Sequence, residues 1–280
     1  MIYDPRSDLQ ALFDARYGDA PVLDDRTEVP DLIRPMAARG SCRSFRDAPV
    51  PHSVLDMLCA VALASPTKSD LQQRDIILLQ SPAQRQRLAD LVSGQSWVAG
   101  APMIVVFCGN NRRQRLLHEW HGIAFANDHL DAFFNAAGDA AIALGAFVTA
   151  AEATGLGCCP ISAVRNEPEA VSEMLNLPDH VFPFAGLAVG YPSGAADISK
   201  RLPLRVTCHT DRYSEGDLRH AVEGYDLERS KVQPYEKQRF AEAFGEADSY
   251  GWSDDKVRQY SRAERSNFGK FVRAKGFNLD

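Results

Sequence analysis

The chain has 280 residues, 45% of them hydrophobic and 24% charged, with a formal net charge of -6. That length can bury a full-sized core, and the composition is that of an ordinary globular protein. A net-acidic chain without a basic stripe excludes a nucleic-acid binder, whose backbone affinity needs a basic surface, and directs any local cluster of cations toward a small anionic ligand.

Residues 1–8 carry no basic-then-apolar run, and no apolar stretch is expected to reach the roughly 18 residues of a membrane span, so the expected location is cytoplasmic. Residues 29–38 read as a short helix. Residues 51–64 show helical spacing at Val54, Leu55, Leu58 and Val61, with Pro51 near the start and Ser65-Pro66 at the end. A polar loop over 65–73 leads to a buried strand at 76–79, a polar helix over 82–92 and a second buried strand at 103–107. The run Arg112-Arg113-Gln114-Arg115 reads as an exposed helix start.

From 129 to 154 the chain is nearly all Ala, Leu, Ile and Phe, with Asn135, Asp139 and Glu152 interspersed. A helix apolar around most of its circumference belongs in a core or at a subunit interface. A third strand is expected over 156–164, a helix over 167–175 and a fourth strand over 181–191. Strands separated by helices make an α/β or α+β core. Beyond about 214 the texture turns charged and turn-rich, with one amphipathic helix predicted over 254–275. Such a tail is too polar for a core of its own and is expected to wrap over the body or a partner subunit.

Six cysteines, Cys42, Cys59, Cys108, Cys158, Cys159 and Cys208, lack metal-type spacing and read as reduced structural thiols. His118-Glu119-Trp120-His121 is not the HExxH arrangement, so no metal is expected there. Gly155 and Gly157 do not open a dinucleotide fingerprint, because Pro160 stands at the third glycine position.

Four stretches carry chemistry. Arg39-Gly40-Ser41-Cys42-Arg43-Ser44-Phe45-Arg46 concentrates guanidinium and hydroxyl donors suited to a phosphate. Ser65-Pro66-Thr67-Lys68-Ser69-Asp70-Leu71-Gln72 offers hydroxyl and amide groups to the edge of a planar heterocycle. The stretch from Gly155 to Asn166 puts small residues at a strand end, where backbone approaches a flat ring closely. Lys200-Arg201-Leu202-Pro203 adds two cations for a phosphate clamp, if folding brings them to the first cluster.

In this order and spacing the stretches resemble the nitroreductase family of FMN-dependent oxidoreductases, over roughly residues 30–213, and the C-terminal extension looks like its larger, NADPH-preferring flavin-reductase branch. The resemblance implies a three-layer α+β fold with a mixed, mainly antiparallel sheet flanked by helices. It implies an FMN-binding domain over 1–213, an extension over 214–280, and a homodimer with one FMN per subunit. Carried over residue by residue, it places Arg39 and Ser41 on the FMN phosphate and Arg43 near the pyrimidine edge of the ring. Gly40 stands where the family has a basic side chain, which leaves that site one cation poorer. Ser69 and Gln72 match loop contacts to the ring or ribityl chain, and Ile161, Ser162 and Ala163 match a segment lying along the flavin. Arg201 matches a further phosphate element, with Lys200 one position out of register.

The implied activity is transfer of hydride from NADPH or NADH through bound FMN to nitroaromatics, quinones or flavins by a ping-pong scheme. The chemistry then resides on the cofactor, and no protein nucleophile is required. Two alternatives stand beside it: an FMN-binding protein with little turnover, and a specialised relative acting on another aromatic substrate. The expected partners are a small-molecule electron acceptor and a second copy of the chain, without nucleic acid or membrane.

Overall fold

The computed structural model describes residues 5–18, 20–92 and 95–280. Residues 1–4 of the N-terminal reading lie outside these. The chain divides into two compact units: residues 41–196 with 265–280, and residues 1–40 with 197–264.

The first unit is built on four strands: β1 (Arg74–Leu79), β2 (Met103–Asn110), β3 (Gly157–Ile161) and β4 (Val181–Gly190). Their order in the sheet is β1-β2-β4-β3, and every pairing within the chain is antiparallel. The central strand β2 is buried along its whole length, as its unbroken apolar run requires. Its side chains alternate between two cores. Met103, Val105 and Phe107 face the helices His52–Leu63 and Leu130–Ala153, whereas Ile104, Val106 and Cys108 face the helices Pro82–Leu91 and Pro168–Met174. The result is a three-layer α+β fold.

Prolines sit where a sheet tolerates them. Pro160 lies on the edge strand β3, where no inner ladder loses a donor. Pro183 lies in β4 where the register slips: Phe107 pairs with Ala185 but Cys108 with Pro183, leaving Phe184 as the extra residue of a bulge.

The helix Leu130–Ala153 buries Ala132, Ala136, Asp139, Ala140, Ala143, Phe147, Val148 and Ala151, a stripe at helical spacing. At 24 residues it is long and apolar enough to cross a membrane by length and composition, which corrects the expectation that no stretch reaches that size. Its small-residue face is instead used against β2, where Phe147 meets Phe107 edge-on at 5.6 Å. A third cluster joins Ala136 and Phe182 to Phe271, Val272 and Phe277 of the C-terminal segment.

The second unit contains the helices Pro5–Tyr17, Ile33–Ala38, Leu218–Val232 and Trp252–Tyr260. The single helix predicted over 254–275 is a misreading. It is two helices, Trp252–Tyr260 and Phe268–Ala274, separated by a turn in which Arg265 takes a positive φ of 55°. The two fall in different units.

Candidate flavin site

The first cluster straddles the unit boundary in sequence: Arg39 belongs to the second unit, Ser41 and Arg43 to the first. Around Cys42 the chain runs as an arm along the sheet edge. Cys42 N–H donates to the Cys158 carbonyl at 3.0 Å, Arg46 N–H to the Tyr191 carbonyl at 2.8 Å and Ser193 N–H to the Ser44 carbonyl at 3.1 Å. Phe45 pairs with Pro192 as an isolated bridge. Extended backbone alternates its side chains, so a buried Cys42 leaves Ser41 and Arg43 exposed on the opposite side. The Arg43 guanidinium lies 5.9 Å from the centroid of Trp97. Burial pushes the Cys42 thiol pKa up, which favours the protonated thiol.

Gly157 is where this seating of Cys42 becomes possible. A Cβ at that position would sit 2.6 Å from both Cβ and Sγ of Cys42. Only the absent side chain lets the arm approach β3 this closely.

The loop before β1 has an unusual backbone. Ser69, Asp70 and Gln72 all have positive φ, at 47°, 55° and 51°. Non-glycine residues rarely occupy this region, and three in so short a stretch need outside support. Much of it comes from Asp139, only 2% exposed, in the middle of the long helix. Its Oδ1 accepts from Lys68 N–H and its Oδ2 from Gln73 N–H, both at 2.9 Å. The helix starting at Arg112 gives more: Arg113 donates to the Gln72 carbonyl at 2.6 Å and Gln114 to the Leu71 carbonyl at 2.8 Å. Beneath the loop, the Gln73 and Asn111 side-chain amides bond each other at 2.7 Å. Ser69 and Gln72 are thereby held exposed, and the loop forms one wall of a cleft of about 300 Å³ also lined by Phe125, His118, Asp131 and Asn135.

At the other edge of the sheet β3 ends at Ile161, and the chain turns through a 3-10 segment, Ser162–Arg165. The third strand is thus shorter than the expected 156–164. Ile161 and Ala163 are buried and only Ser162 is exposed, so Ile161 and Ala163 can present only backbone to a ligand. The loop carrying Ser69 and Gln72 leads into the opposite edge strand, three strand spacings or about 14 Å away. The two segments therefore adjoin opposite edges of the sheet of one chain.

In the second unit the two distant basic elements do meet. Arg16, 6% exposed, donates through Nη2 to the carbonyls of Ala37 and Arg39 at 2.9 and 2.7 Å, and through Nη1 to the Ser199 carbonyl at 3.1 Å. Its own carbonyl accepts from Arg201 N–H at 2.7 Å. Arg39 and the segment of Lys200 and Arg201 are thus tied around one buried guanidinium. Lys200 is further fixed by its N–H to Gln233 Oε1 and by Tyr225 Oη–H to its carbonyl, both at 3.2 Å. The Arg201 guanidinium donates to Ser199 Oγ at 2.7 Å and remains exposed.

The sequence reading passed over both organisers. Asp139 had a signal, a carboxylate inside an almost wholly apolar helix. Arg16 had none, since its partners are backbone carbonyls far along the chain. Among the described residues no group of His, Cys, Asp or Glu is arranged to hold a metal ion.

Residues 36–191 match the model of the nitroreductase family, and residues 199–280 match the family's C-terminal domain. The Bacillus subtilis protein named FMN reductase (NADPH) is 33% identical over 242 residues, covering 85% of this chain and 94% of that protein. A second Bacillus subtilis protein, named FMN reductase for NAD(P)H, is 29% identical over 253 residues, covering 89% of this chain and 99% of its own length. The solved structure of Bacillus megaterium NfrA2 superposes with a TM-score of 0.81 at 29% identity, covering 90% of this chain and all of that one. Fold, motif order and relatives agree, and this chain belongs to the nitroreductase family.

Proposed function

We propose that the protein binds FMN and uses it to pass electrons from NADPH or NADH to nitroaromatics, quinones or flavins in a ping-pong scheme. It is an NAD(P)H-dependent oxidoreductase of its family. The observation that carries this reading is the donor set: cations and hydroxyls for a phosphate, and a rigid polar loop and a small-residue turn for a planar ring. A flavin phosphate needs fixed cations and hydroxyl donors, which Arg39, Arg201, Lys200 and Ser41 supply. Arg39 and the backbone of Lys200 and Arg201 arrive already organised around Arg16, which lowers the ordering cost of binding.

When bound, FMN supplies the two-electron chemistry, accepting hydride from the nicotinamide and giving electrons to the second substrate. Arg43, exposed on the arm, places a fixed positive charge that favours the reduced, anionic form of a ring beside it. Ser69 and Gln72 offer side-chain donors and acceptors to the ring edge or ribityl hydroxyls, while Ile161 and Ala163 contribute backbone and Ser162 a hydroxyl. The cleft beside the loop, with Phe125 as an aromatic wall, is of a size for a planar acceptor or a nicotinamide.

The working unit in this reading is a homodimer. Placement of the loop and the post-β3 turn on opposite sheet edges supports it, because two copies can bring opposite edges to one cofactor. So do the exposed apolar side chains of two adjacent helices, Met57, Val61 and Leu63 on one and Phe134 and Ile142 on the other. Residues 214–280 are read as an extension of the 1–213 domain, packing on the body or on a partner. Six free thiols fit a reducing, cytoplasmic setting.

The test is direct. The purified protein is expected to be yellow, to bleach when NADPH is added without oxygen, and to lose its flavin absorption in Arg201→Ala and Arg43→Ala. Retention of the yellow complex in both variants overturns the residue assignment. A flavin that does not bleach overturns the enzymatic reading in favour of a binding protein.

A further inference from the structure

We propose that Asp139 is a positioning residue for the cofactor: from the core it holds the loop of Ser69 and Gln72 in the left-handed conformation that presents both side chains. The inference rests on the reading that this loop contacts FMN, and adds to it a residue that touches neither flavin nor substrate.

A carboxylate in the middle of an apolar helix is costly unless its lone pairs are used. Asp139 is 2% exposed, and both of its oxygens are committed to one loop. The two amides it captures, Lys68 and Gln73, bracket Ser69, Asp70 and Gln72, all of which have positive φ. Such residues persist only where the surroundings over-determine them. With its two ends fixed to one rigid carboxylate, the segment between them cannot extend and must bulge outward.

Position in the fold completes the argument. Asp139 belongs to the buried stripe of the helix Leu130–Ala153, among Ala136, Ala140 and Ala143, and that helix packs on β2, so its carboxylate is anchored in the core. Beside the same loop, Arg74, 4% exposed, donates through Nη2 to the carbonyls of Leu63 and Ser65 at 2.6 and 3.0 Å. A buried anion thus takes the loop's N–H groups and a buried cation takes the carbonyls that precede it. Lys68, Ser69, Leu71 and Gln73 also line the cleft, so the same clamp sets the shape of one substrate wall.

The test uses the full-length protein and Asp139→Asn, a near-isosteric change that keeps one acceptor oxygen and turns an amide N–H toward the other backbone N–H. Hydrogen exchange at residues 66–74 of the apo-protein reads the clamp without the cofactor. Exchange at Lys68 and Gln73 is expected to speed up in the variant. FMN titration is expected to show Kd raised about 10- to 100-fold, the size of a lost charge-assisted hydrogen bond, with a shifted visible spectrum of residual bound flavin. KM for the acceptor is expected to rise with kcat, at saturating FMN, changing less.

If the variant does not fold, exchange in the unaltered protein decides the point: Lys68 and Gln73 amides as fast as free exposed amides overturn the clamp. Faster loop exchange with unchanged Kd and spectrum overturns the positioning role. In that event loss of flavin from Arg201→Ala shows that the FMN reading survives, and retention of flavin there shows that the reading itself has failed.

Discussion

Arg16→Met tests whether one buried guanidinium assembles the two basic elements. Arg16 makes three hydrogen bonds to the carbonyls of Ala37, Arg39 and Ser199, at 2.7 to 3.1 Å. A hydrogen bond from a charged donor contributes about 1.5–3 kcal/mol, and a carbonyl left buried without a partner adds a desolvation penalty. Against this, methionine no longer has to bury a cation, which offsets several kcal/mol. The net expected loss is about 2–4 kcal/mol of unfolding free energy. Urea titration of the apo-protein at fixed concentration, followed by circular dichroism, measures it. FMN affinity should fall with it, because the carbonyls of Arg39 and Ser199, which flank the two basic elements, lose their common anchor, while the bond from Arg201 N–H to the main-chain carbonyl of residue 16 remains. Arg16→Lys should lie between, since a single ammonium nitrogen lacks the planar, two-nitrogen fork with which the guanidinium reaches the Ser199 carbonyl as well as those of Ala37 and Arg39. Unchanged unfolding and unchanged FMN affinity in Arg16→Met would refute the reasoning.

Gly157→Ala forces a Cβ within 2.6 Å of Cys42, so it should cost about 1–3 kcal/mol in thermal or chemical unfolding and weaken FMN binding by shifting Ser41 and Arg43. Pairing it with Cys42→Gly, which removes the opposing atoms, should recover most of the stability; no recovery would mean the clash is not the cause. His180, whose Nε2 lies 2.9 Å from the Gly276 carbonyl, has its pKa pushed down chiefly by burial and then by Arg115, against the opposing pull of that hydrogen bond and of Asp179 and Asp128. A histidine with a folded pKa below its unfolded value near 6.5 contributes stability that is whole above that pH and is lost as pH falls toward the folded value. Protection of amides in 268–277 should therefore weaken between pH 7 and 5, and His180→Gln should flatten that dependence; an unchanged profile in the variant would exclude His180 as the titrating group.

The sheet was the most legible part of the chain. Short, β-branched and aromatic apolar runs such as residues 103–107 and 181–191 read as buried strands, and they fall on the strands Met103–Asn110 and Val181–Gly190. The long helix was legible for the same reason. Where polarity replaces periodicity the sequence is silent. The helices Pro5–Tyr17 and Leu218–Val232 escaped notice because few of their residues are buried. The break between Tyr260 and Phe268 escaped because Arg265 takes a conformation that its sequence does not advertise. Arg39, Lys200 and Arg201 were visible as charges, but the means of bringing them together was not, because Arg16 works through backbone carbonyls that every residue possesses.

The arm that carries Ser41 and Arg43 has a second effect. By taking the Cys158 carbonyl, Cys42 occupies hydrogen-bonding capacity on an outer strand that could otherwise recruit a strand from another molecule, and Pro160 withholds a donor from the same strand. Detaching the arm would uncover that strand. A variant that unseats this segment is expected to self-associate through the uncovered strand.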